Sequence, residues 1–104
     1  MKIIKRNGEE AIFDIRKIET AISKANAVVP ESDRLTDEYI KAVAAKVGAE
    51  CKASKVQLNV EAIQDLVETE LMKIGAFNIA KIYITYRYRH ALLRKANSTD
   101  KQIL

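Results

Sequence analysis

The polar and apolar positions at the start of the chain predict a β-hairpin. Two short runs with strand character flank an Asn-Gly dipeptide at positions 7–8, which is favoured in a two-residue type I′ turn because both positions need positive φ. A two-residue loop would place Lys5 opposite Glu10, so that a basic residue faces an acid across the ladder. A lone hairpin is marginal in water, and we therefore expect this one to pack on other elements.

Three helical patterns follow the hairpin. Asp14, Thr36 and Asn59 each precede a run of apolar residues at helical spacing, and each is a good N-cap residue. Pro30 follows the first pattern and Gly75 follows the third, where they mark helix ends. The predicted buried stripes are Ile15, Ile18, Ala21, Ile22 and Ala25 in the first helix, Ile40, Val43, Ala44 and Val47 in the second, and Ile63, Leu66, Val67, Glu70, Leu71 and Ile74 in the third.

A fourth helix is predicted over 77–95, and it is apolar on more than one side. Such a helix is normally central to its bundle. Residues 96–104 have little periodicity and are predicted to be a linker toward a further domain. The predicted fold class is α+β, mostly α, with an N-terminal β-hairpin capping a four-helix bundle over residues 1–95.

The composition is that of a single globular domain. The chain has 104 residues, of which 48% are hydrophobic and 31% are charged, and this argues against disorder and against two domains. It contains no secretory signal pattern and no apolar run long enough to cross a bilayer, so we expect a cytoplasmic location. The net charge of +4 mildly favours a phosphate-bearing partner.

The residues that could perform catalysis are few. Cys51 is the only cysteine and His90 the only histidine, which excludes an internal disulfide and a multi-cysteine zinc site. No motif for nucleophilic catalysis, metal-assisted hydrolysis or a phosphate-binding glycine loop surrounds either residue. We therefore predict no active site and no structural metal, with Cys51 inert and His90 on the surface.

Phosphate binding has better candidates than catalysis. Lys5 and Arg6 lie at the turn end of the hairpin, and Lys17 lies in the first turn of the following helix. Arg87 and Arg89 lie late in the fourth helix but are about 200° apart around it, so at most one of them can face a ligand near the hairpin. Three segments of the chain can thus direct cationic donors at a triphosphate.

Two alternatives remain open from the residues alone. The run 81–90 interleaves Lys, Arg and Tyr and has the ingredients of a nucleic-acid stacking surface, although its tyrosines are expected in the core. The chain could also be a helical protein-interaction module whose hairpin is purely structural.

Several segments in order resemble a known family. Residues 2–8, KIIKRNG, are followed by Phe-Asp at 13–14 and by RKI at 16–18; two later segments, 60–68 and 80–87, read VEAIQDLVE and AKIYITYR. Together they resemble the ATP-cone family, and the resemblance covers about residues 2–92.

The resemblance implies a hairpin-capped helical bundle that binds ATP or dATP under the hairpin, generally with Mg²⁺. Some members carry an acid near the base where this chain has Ala11. Carried over by position, the implied nucleotide-binding residues are Ile3, Lys5, Asp14 and Ile18 at the base and sugar, Arg6, Lys17 and Arg89 at the phosphates, and Gln64 and Tyr86 along the pocket wall.

ATP-cones are usually N-terminal regulators of ribonucleotide reductases. They also occur in a zinc-ribbon transcriptional repressor, but the given sequence lacks the four cysteines of the ribbon and does not favour that protein. Residues 96–101 look like the junction that leads into the catalytic barrel of an anaerobic, glycyl-radical ribonucleoside-triphosphate reductase. The resemblance therefore implies an allosteric domain without catalytic residues, whose partners are adenine nucleotides, a reductase catalytic domain and further copies of itself.

Overall fold

The predicted order of one hairpin and four helices is confirmed. The computed structural model describes residues 2–5 and 8–103, with 97–103 described only as backbone. A short 3-10 helix joins the first two α-helices. The elements are strands β1 (Lys2–Ile4) and β2 (Glu10–Ile12), the 3-10 helix Glu31–Asp33, and helices α1 (Ile15–Val28), α2 (Asp37–Ala53), α3 (Val60–Lys73) and α4 (Phe77–Ile103).

The predicted register of the hairpin is wrong by one residue. Ile4, not Lys5, is the partner of Glu10 across the ladder. The Lys5 carbonyl accepts the Gly8 N–H at 3.0 Å, and the Lys5 N–H donates to the Glu9 carbonyl at 2.7 Å. With Gly8 at a φ of +86°, this is the pattern of a three-residue loop closed by a left-handed glycine. The loop that contains the Asn-Gly dipeptide is therefore one residue longer than predicted.

The hairpin is joined to the bundle through its first strand. The Ile4 N–H donates to the Leu58 carbonyl at 3.0 Å, and Ile4 forms an isolated parallel bridge with Asn59. Ile3 and Phe13 pack against the helical core from the same end. These contacts fix the hairpin above the start of α3, where a cavity opens.

The three predicted N-caps are confirmed. The side chains of Asp14, Thr36 and Asn59 accept backbone N–H groups from the first turns of α1, α2 and α3. At the end of α3, Gly75 has a φ of +80°, and the next residue donates its N–H to the Leu71 carbonyl. This is a Schellman termination, which requires a residue that tolerates positive φ.

The core lies between the four helices, each packed on its neighbours in sequence and α1 packed on α4. The Asn78 side chain, at the start of α4, donates to Asp33 just beyond the end of α1 at 2.8 Å, so α1 and α4 run antiparallel. The buried apolar residues are Ile18, Ile22, Ala25, Val29, Ile40, Val43, Ala44, Val47, Cys51, Ile63, Val67, Leu71, Ile79, Ala80 and Tyr83.

Helix α4 departs from the prediction in two respects. It continues to Ile103, whereas the sequence pattern ended it near residue 95. It also occupies a corner of the bundle rather than its centre, because Ile84, Tyr88 and Leu92 on its outer side are exposed. Whether residues 96–104 lead to a further domain stays a prediction.

Candidate functional site

A cavity of about 350 Å³ lies under the hairpin, and we name it the hairpin chamber. Strands β1 and β2 form its roof, and α1, α3 and α4 form its walls. Six of the predicted site residues line it: Ile3, Lys5, Asp14, Lys17, Ile18 and Gln64. The other lining residues are apolar or aromatic: Ala11, Ile12, Phe13, Ala21, Val60, Ile63 and Tyr83. An apolar cavity with a few polar groups is suited to a flat heterocyclic base.

A second cavity of about 630 Å³ lies between α1 and α4, and we name it the outer chamber. It is contiguous with the hairpin chamber because both are lined by Asp14, Lys17, Ala21, Gln64 and Tyr83. The residues that line the outer chamber alone are Arg16, Thr20, Lys24, Tyr86, Arg87, His90 and Arg94. Tyr86 thus lies with the other predicted residues, although in the second chamber.

The outer chamber is strongly basic. Within the part of the chain that the structure describes, Lys17, Lys24 and Arg94 take part in no ion pair closer than 4 Å. Asp14 is the one carboxylate among the described lining residues. An anion with several negative charges, such as a polyphosphate, complements this arrangement.

Asp14 is held by a neighbouring guanidinium. Its Oδ1 accepts the backbone N–H of Arg16 at 3.0 Å and the Arg16 Nε–H at 3.2 Å, and its Oδ2 accepts from the Arg16 NH2 group at 3.3 Å. The side-chain and backbone hydrogen bonds from Arg16 lower the pKa of Asp14. The Asp14 side chain is therefore an ionised acceptor at neutral pH.

Arg87 also lines the outer chamber, but its charge is already neutralised. Its guanidinium lies 2.8 Å from Glu61, 2.7 Å from Asp65 and 2.7 Å from Glu68, all on α3. A fourth hydrogen bond runs to the Glu61 backbone carbonyl at 3.3 Å. Partial desolvation opposes protonation, but the hydrogen bonds to the three carboxylates outweigh it and raise the pKa of Arg87. We name these four residues the Arg87 cluster.

Of the other two predicted phosphate ligands, the structure describes only Arg89. Arg6 lies outside the described residues. Arg89 is exposed on α4 and is not among the described residues that line either chamber. Their roles stay predictions that rest on the resemblance alone.

The outer chamber contains functional candidates that the sequence reading missed. On α1 these are Arg16, Thr20 and Lys24, which follow one another at intervals of four residues; on α4 they are His90 and Arg94. Both sets have the spacing of a single helix face. A search for basic and polar residues on the face adjoining the buried stripe would have found them.

The basic-aromatic run on α4 does not form a single exposed surface. Tyr83 is buried, Tyr86 is half-buried and Tyr88 is 65% exposed, so the expectation that all three are core residues is wrong for Tyr88. Cys51 is buried, and burial raises the pKa of its thiol. His90 is exposed, as predicted.

The described residues contain neither a candidate membrane span nor a candidate metal site. No helix among them is both long enough and apolar enough to cross a membrane. No group of three or more His, Cys, Asp or Glu side chains among them is arranged to hold a metal ion.

Comparison with known proteins gives several long matches. Over 112 residues the chain is 31% identical to the ribonucleoside-diphosphate reductase subunit alpha of Chlamydia muridarum, which covers 100% of this chain and 11% of that protein. It is 36% identical over 98 residues to the vitamin B12-dependent ribonucleoside-diphosphate reductase of Mycobacterium tuberculosis, covering 93% of this chain and 13% of that protein. It is 34% identical over 97 residues to the anaerobic ribonucleoside-triphosphate reductase of Haemophilus influenzae, covering 92% of this chain and 13% of that protein.

These relatives differ in reductase type, so the matches do not single out the anaerobic enzyme. The chain spans only 11% to 13% of the length of each relative. The sequence model described as the ATP cone domain matches residues 1–92, which include the hairpin, α1, α2, α3 and more than half of α4. The chain therefore belongs to the ATP-cone domain family.

Proposed function

We propose that this chain is an allosteric domain that binds ATP or dATP in the two contiguous chambers and carries no catalytic activity of its own. The observation that supports this most directly is the change in chemistry at Lys17. On one side of this residue lies the mainly apolar hairpin chamber, and on the other lies the basic outer chamber. A nucleoside triphosphate has the same division into an apolar base and a charged tail.

In this arrangement the adenine base lies under the hairpin, between Ile3 and Ile18. The phosphates extend into the outer chamber past Lys17, with Tyr86 and Gln64 along the wall. Arg6 and Arg89 remain further candidates for phosphate contact from the resemblance. Mg²⁺ would enter with the nucleotide as the counter-ion of its phosphates, which are the oxygen ligands it prefers.

The start of α1 supports a site for anions. The first turns of α2 and α3 contain acids, namely Asp37, Glu38 and Glu61, where the helix dipole favours negative charge. The first turn of α1 contains no acid and instead contains Arg16 and Lys17. Cations at this end of a helix are locally unfavourable, and a departure from a local rule is typical of a functional site.

The parent protein would be a ribonucleotide reductase, and the anaerobic triphosphate enzyme is the type that residues 96–101 favour. ATP and dATP would compete for this site and stabilise different interfaces with the catalytic domain or between copies. A ligand shifts such an equilibrium only by its differential affinity for the two states. The two nucleotides differ in the ribose 2′-hydroxyl, so discrimination must begin near the sugar. A cytoplasmic location is consistent with this role.

The test is a thermal melt with Mg²⁺ and ATP, dATP, GTP or CTP. A ligand that binds only the native state raises the Tm, and at 100 times the Kd it contributes about 2.7 kcal/mol. Lys17→Met should abolish most of the rise, because it removes a cation shared by both chambers. Lys41→Met is the matched control, since Lys41 is exposed on α2 and lines neither chamber. No rise with millimolar ATP or dATP would refute the proposal.

A second candidate is a helical protein-interaction module. The exposed side of α4 presents Ile84, Tyr88 and Leu92 at intervals of four residues, and such an apolar stripe is typical of a contact surface. Self-association that is independent of nucleotide and is lost in Tyr88→Ser would favour this function over nucleotide sensing.

A further inference from the structure

We infer that Asp14 acts through Arg16, as a positioning residue that presents the guanidinium to the phosphates, and does not read the adenine base. This inference rests on the proposed function, because it concerns the same site. It assigns phosphate recognition to Arg16, and it changes the role of Asp14 that the family resemblance implies.

The first step is the geometry of the pair. Oδ1 of Asp14 accepts two hydrogen bonds from Arg16, at 3.0 and 3.2 Å, and Oδ2 accepts a third at 3.3 Å. Both carboxylate oxygens therefore already contact the residue two positions along the chain. An adenine amino group would have to share these oxygens with a guanidinium.

The second step concerns the donors that remain on Arg16. A guanidinium has five N–H groups, and two of them are directed at Asp14, which leaves three. Arg16 lines the outer chamber but not the hairpin chamber. Its remaining donors are thus available on the phosphate side of the site, and a planar fork of this kind suits phosphate oxygens.

The third step is that the side-chain bonds between Asp14 and Arg16 are needed neither for the stability of the fold nor for the cap of α1. Arg16 has a side chain that is 83% exposed, and exposed ion pairs contribute little to stability. Capping of α1 needs only the bond from the Arg16 backbone N–H to Oδ1. The side-chain bonds are additional to the cap, and they orient a cation in a helix turn where the dipole disfavours one.

The two roles of Asp14 are separable by one substitution. Asn is as good an N-cap as Asp, so Asp14→Asn keeps an oxygen for the Arg16 backbone N–H. It removes the ionised carboxylate that holds the guanidinium by two side-chain bonds. It also replaces one carboxylate oxygen with an amide donor, so it would change the preference between adenine and guanine if position 14 contacted the base.

The experiment measures the affinities of AMP, ADP, ATP and GTP, with Mg²⁺, for the wild type, Asp14→Asn, Arg16→Met and the double variant. Melting without nucleotide verifies that each variant folds. Loss of one charge-assisted contact should weaken ATP binding by about tenfold in Arg16→Met. Asp14→Asn should weaken it by a smaller factor that increases from AMP to ATP, with the ratio of ATP to GTP affinity unchanged. The double variant should be no weaker than Arg16→Met.

Other outcomes overturn the inference. An equal loss for AMP, ADP and ATP in Asp14→Asn, or an altered ratio of ATP to GTP affinity, would show that Asp14 reads the base, with the proposed function intact. Additive losses in the double variant would show that the two residues act independently. No binding of any nucleotide by the wild type would overturn both this inference and the proposed function.

Discussion

Arg16 and Arg87 both line the outer chamber, but their surroundings are opposite. Arg87 contacts three carboxylates, and its side chain is only 20% exposed. Arg16 contacts one carboxylate and is 83% exposed. The Arg87 cluster carries more negative than positive charge and joins α3 to α4. The Arg16 side of the chamber has a positive excess that includes Lys17 and Lys24.

This difference shows that a basic residue at a cavity is not by itself an anion ligand. What matters is how many carboxylates the fold places around it, and for Arg87 these come from another helix. Glu61, Asp65 and Glu68 follow one another at helical spacing on α3, so they form one acidic face. We therefore expect Arg87 to stabilise the bundle, and Lys17 and Lys24 on α1 to be available to a ligand.

The largest expected effect is on stability, from Arg87→Met. Removal of the guanidinium leaves three neighbouring carboxylates without their shared partner. Hydrogen bonds to charged groups contribute roughly 1.5–3 kcal/mol, so we expect the free energy of unfolding to fall by about 2 kcal/mol and the Tm by roughly 10 °C. Urea and thermal unfolding without nucleotide measure both quantities.

Arg89→Met is the matched control for that prediction. Arg89 lies two residues away on the same helix and is exposed, and a surface substitution of this kind changes stability by about 0.5 kcal/mol or less. Equal losses in the two variants would contradict a specific stabilising role for the Arg87 cluster.

A second prediction uses an ion pair between α2 and α3, in which only the carboxylate is buried. Lys46 Nζ lies 3.2 Å from Glu70 Oε1; the Glu70 side chain is 4% exposed and that of Lys46 is 56% exposed. Lys46→Met leaves a buried carboxylate unpaired and should cost about 1–2 kcal/mol of unfolding free energy. Glu70→Leu leaves only a solvated ammonium and should cost less, because an apolar side chain replaces the buried charge. Denaturant unfolding measures the loss of unfolding free energy in the two variants. A larger loss in Glu70→Leu than in Lys46→Met would refute this prediction.

Most of the fold could be predicted from local signals. Helix starts are specified by a single capping side chain, and the end of α3 by Gly75, so short segments of sequence contain the information. The predicted hairpin register is wrong because an Asn-Gly dipeptide is compatible with more than one loop length. The hydrogen bond from Ile4 to Leu58 also joins two segments that are distant in sequence, so local patterns do not predict it. The continuation of α4 to Ile103 has no periodic apolar signal in the sequence.

The candidate site was only partly predictable, for a related reason. The residues on the hairpin and at the start of α1 are near one another in sequence, and the family motif marks them. Lys24 and Arg94 lie far apart in sequence and meet one cavity only because α1 and α4 pack antiparallel. The buried Glu70 interrupts an apolar stripe, and only the position of Lys46 on α2 explains it.

A third prediction concerns nucleotide affinity and tests whether Arg87 could become a ligand. The double variant Glu61→Gln/Asp65→Asn removes two of its three carboxylate partners. At an assumed separation of about 10 Å in water, each removed charge changes the interaction with a bound phosphate by roughly 0.4 kcal/mol. The loss of both charges should therefore increase ATP affinity by about fourfold. The control Asp37→Asn/Glu38→Gln removes the same net charge from α2, away from both chambers, and should have a smaller effect. Titration at low salt measures the ATP affinity of both double variants. Equal gains in affinity would show that the change in net charge alone is responsible.

The smallest expected effect is a pH dependence of stability that isolates the Asp14–Arg16 pair. Hydrogen bonds from the Arg16 side chain and backbone lower the pKa of Asp14 in the folded chain. Because the folded pKa lies below the unfolded one, the resulting stability is present above the unfolded pKa of about 3.9. It is lost as the pH falls through the folded pKa. The wild type should therefore exceed Asp14→Asn in stability at pH 5–7, and the difference should shrink below about pH 4.

The same measurement in an Arg16→Met background identifies the cause. The side-chain hydrogen bond from Arg16 is the largest contribution to the lowered pKa of Asp14, so without it the difference between Asp and Asn at position 14 should be smaller at neutral pH. Urea unfolding at several pH values and low salt is required, because salt screens exposed pairs. An Asp–Asn difference that grows toward acid pH would mean that the carboxylate destabilises the folded chain. In that case Asp14 would not hold Arg16 in solution. Arg16 and Arg87 would then differ only in how exposed their side chains are.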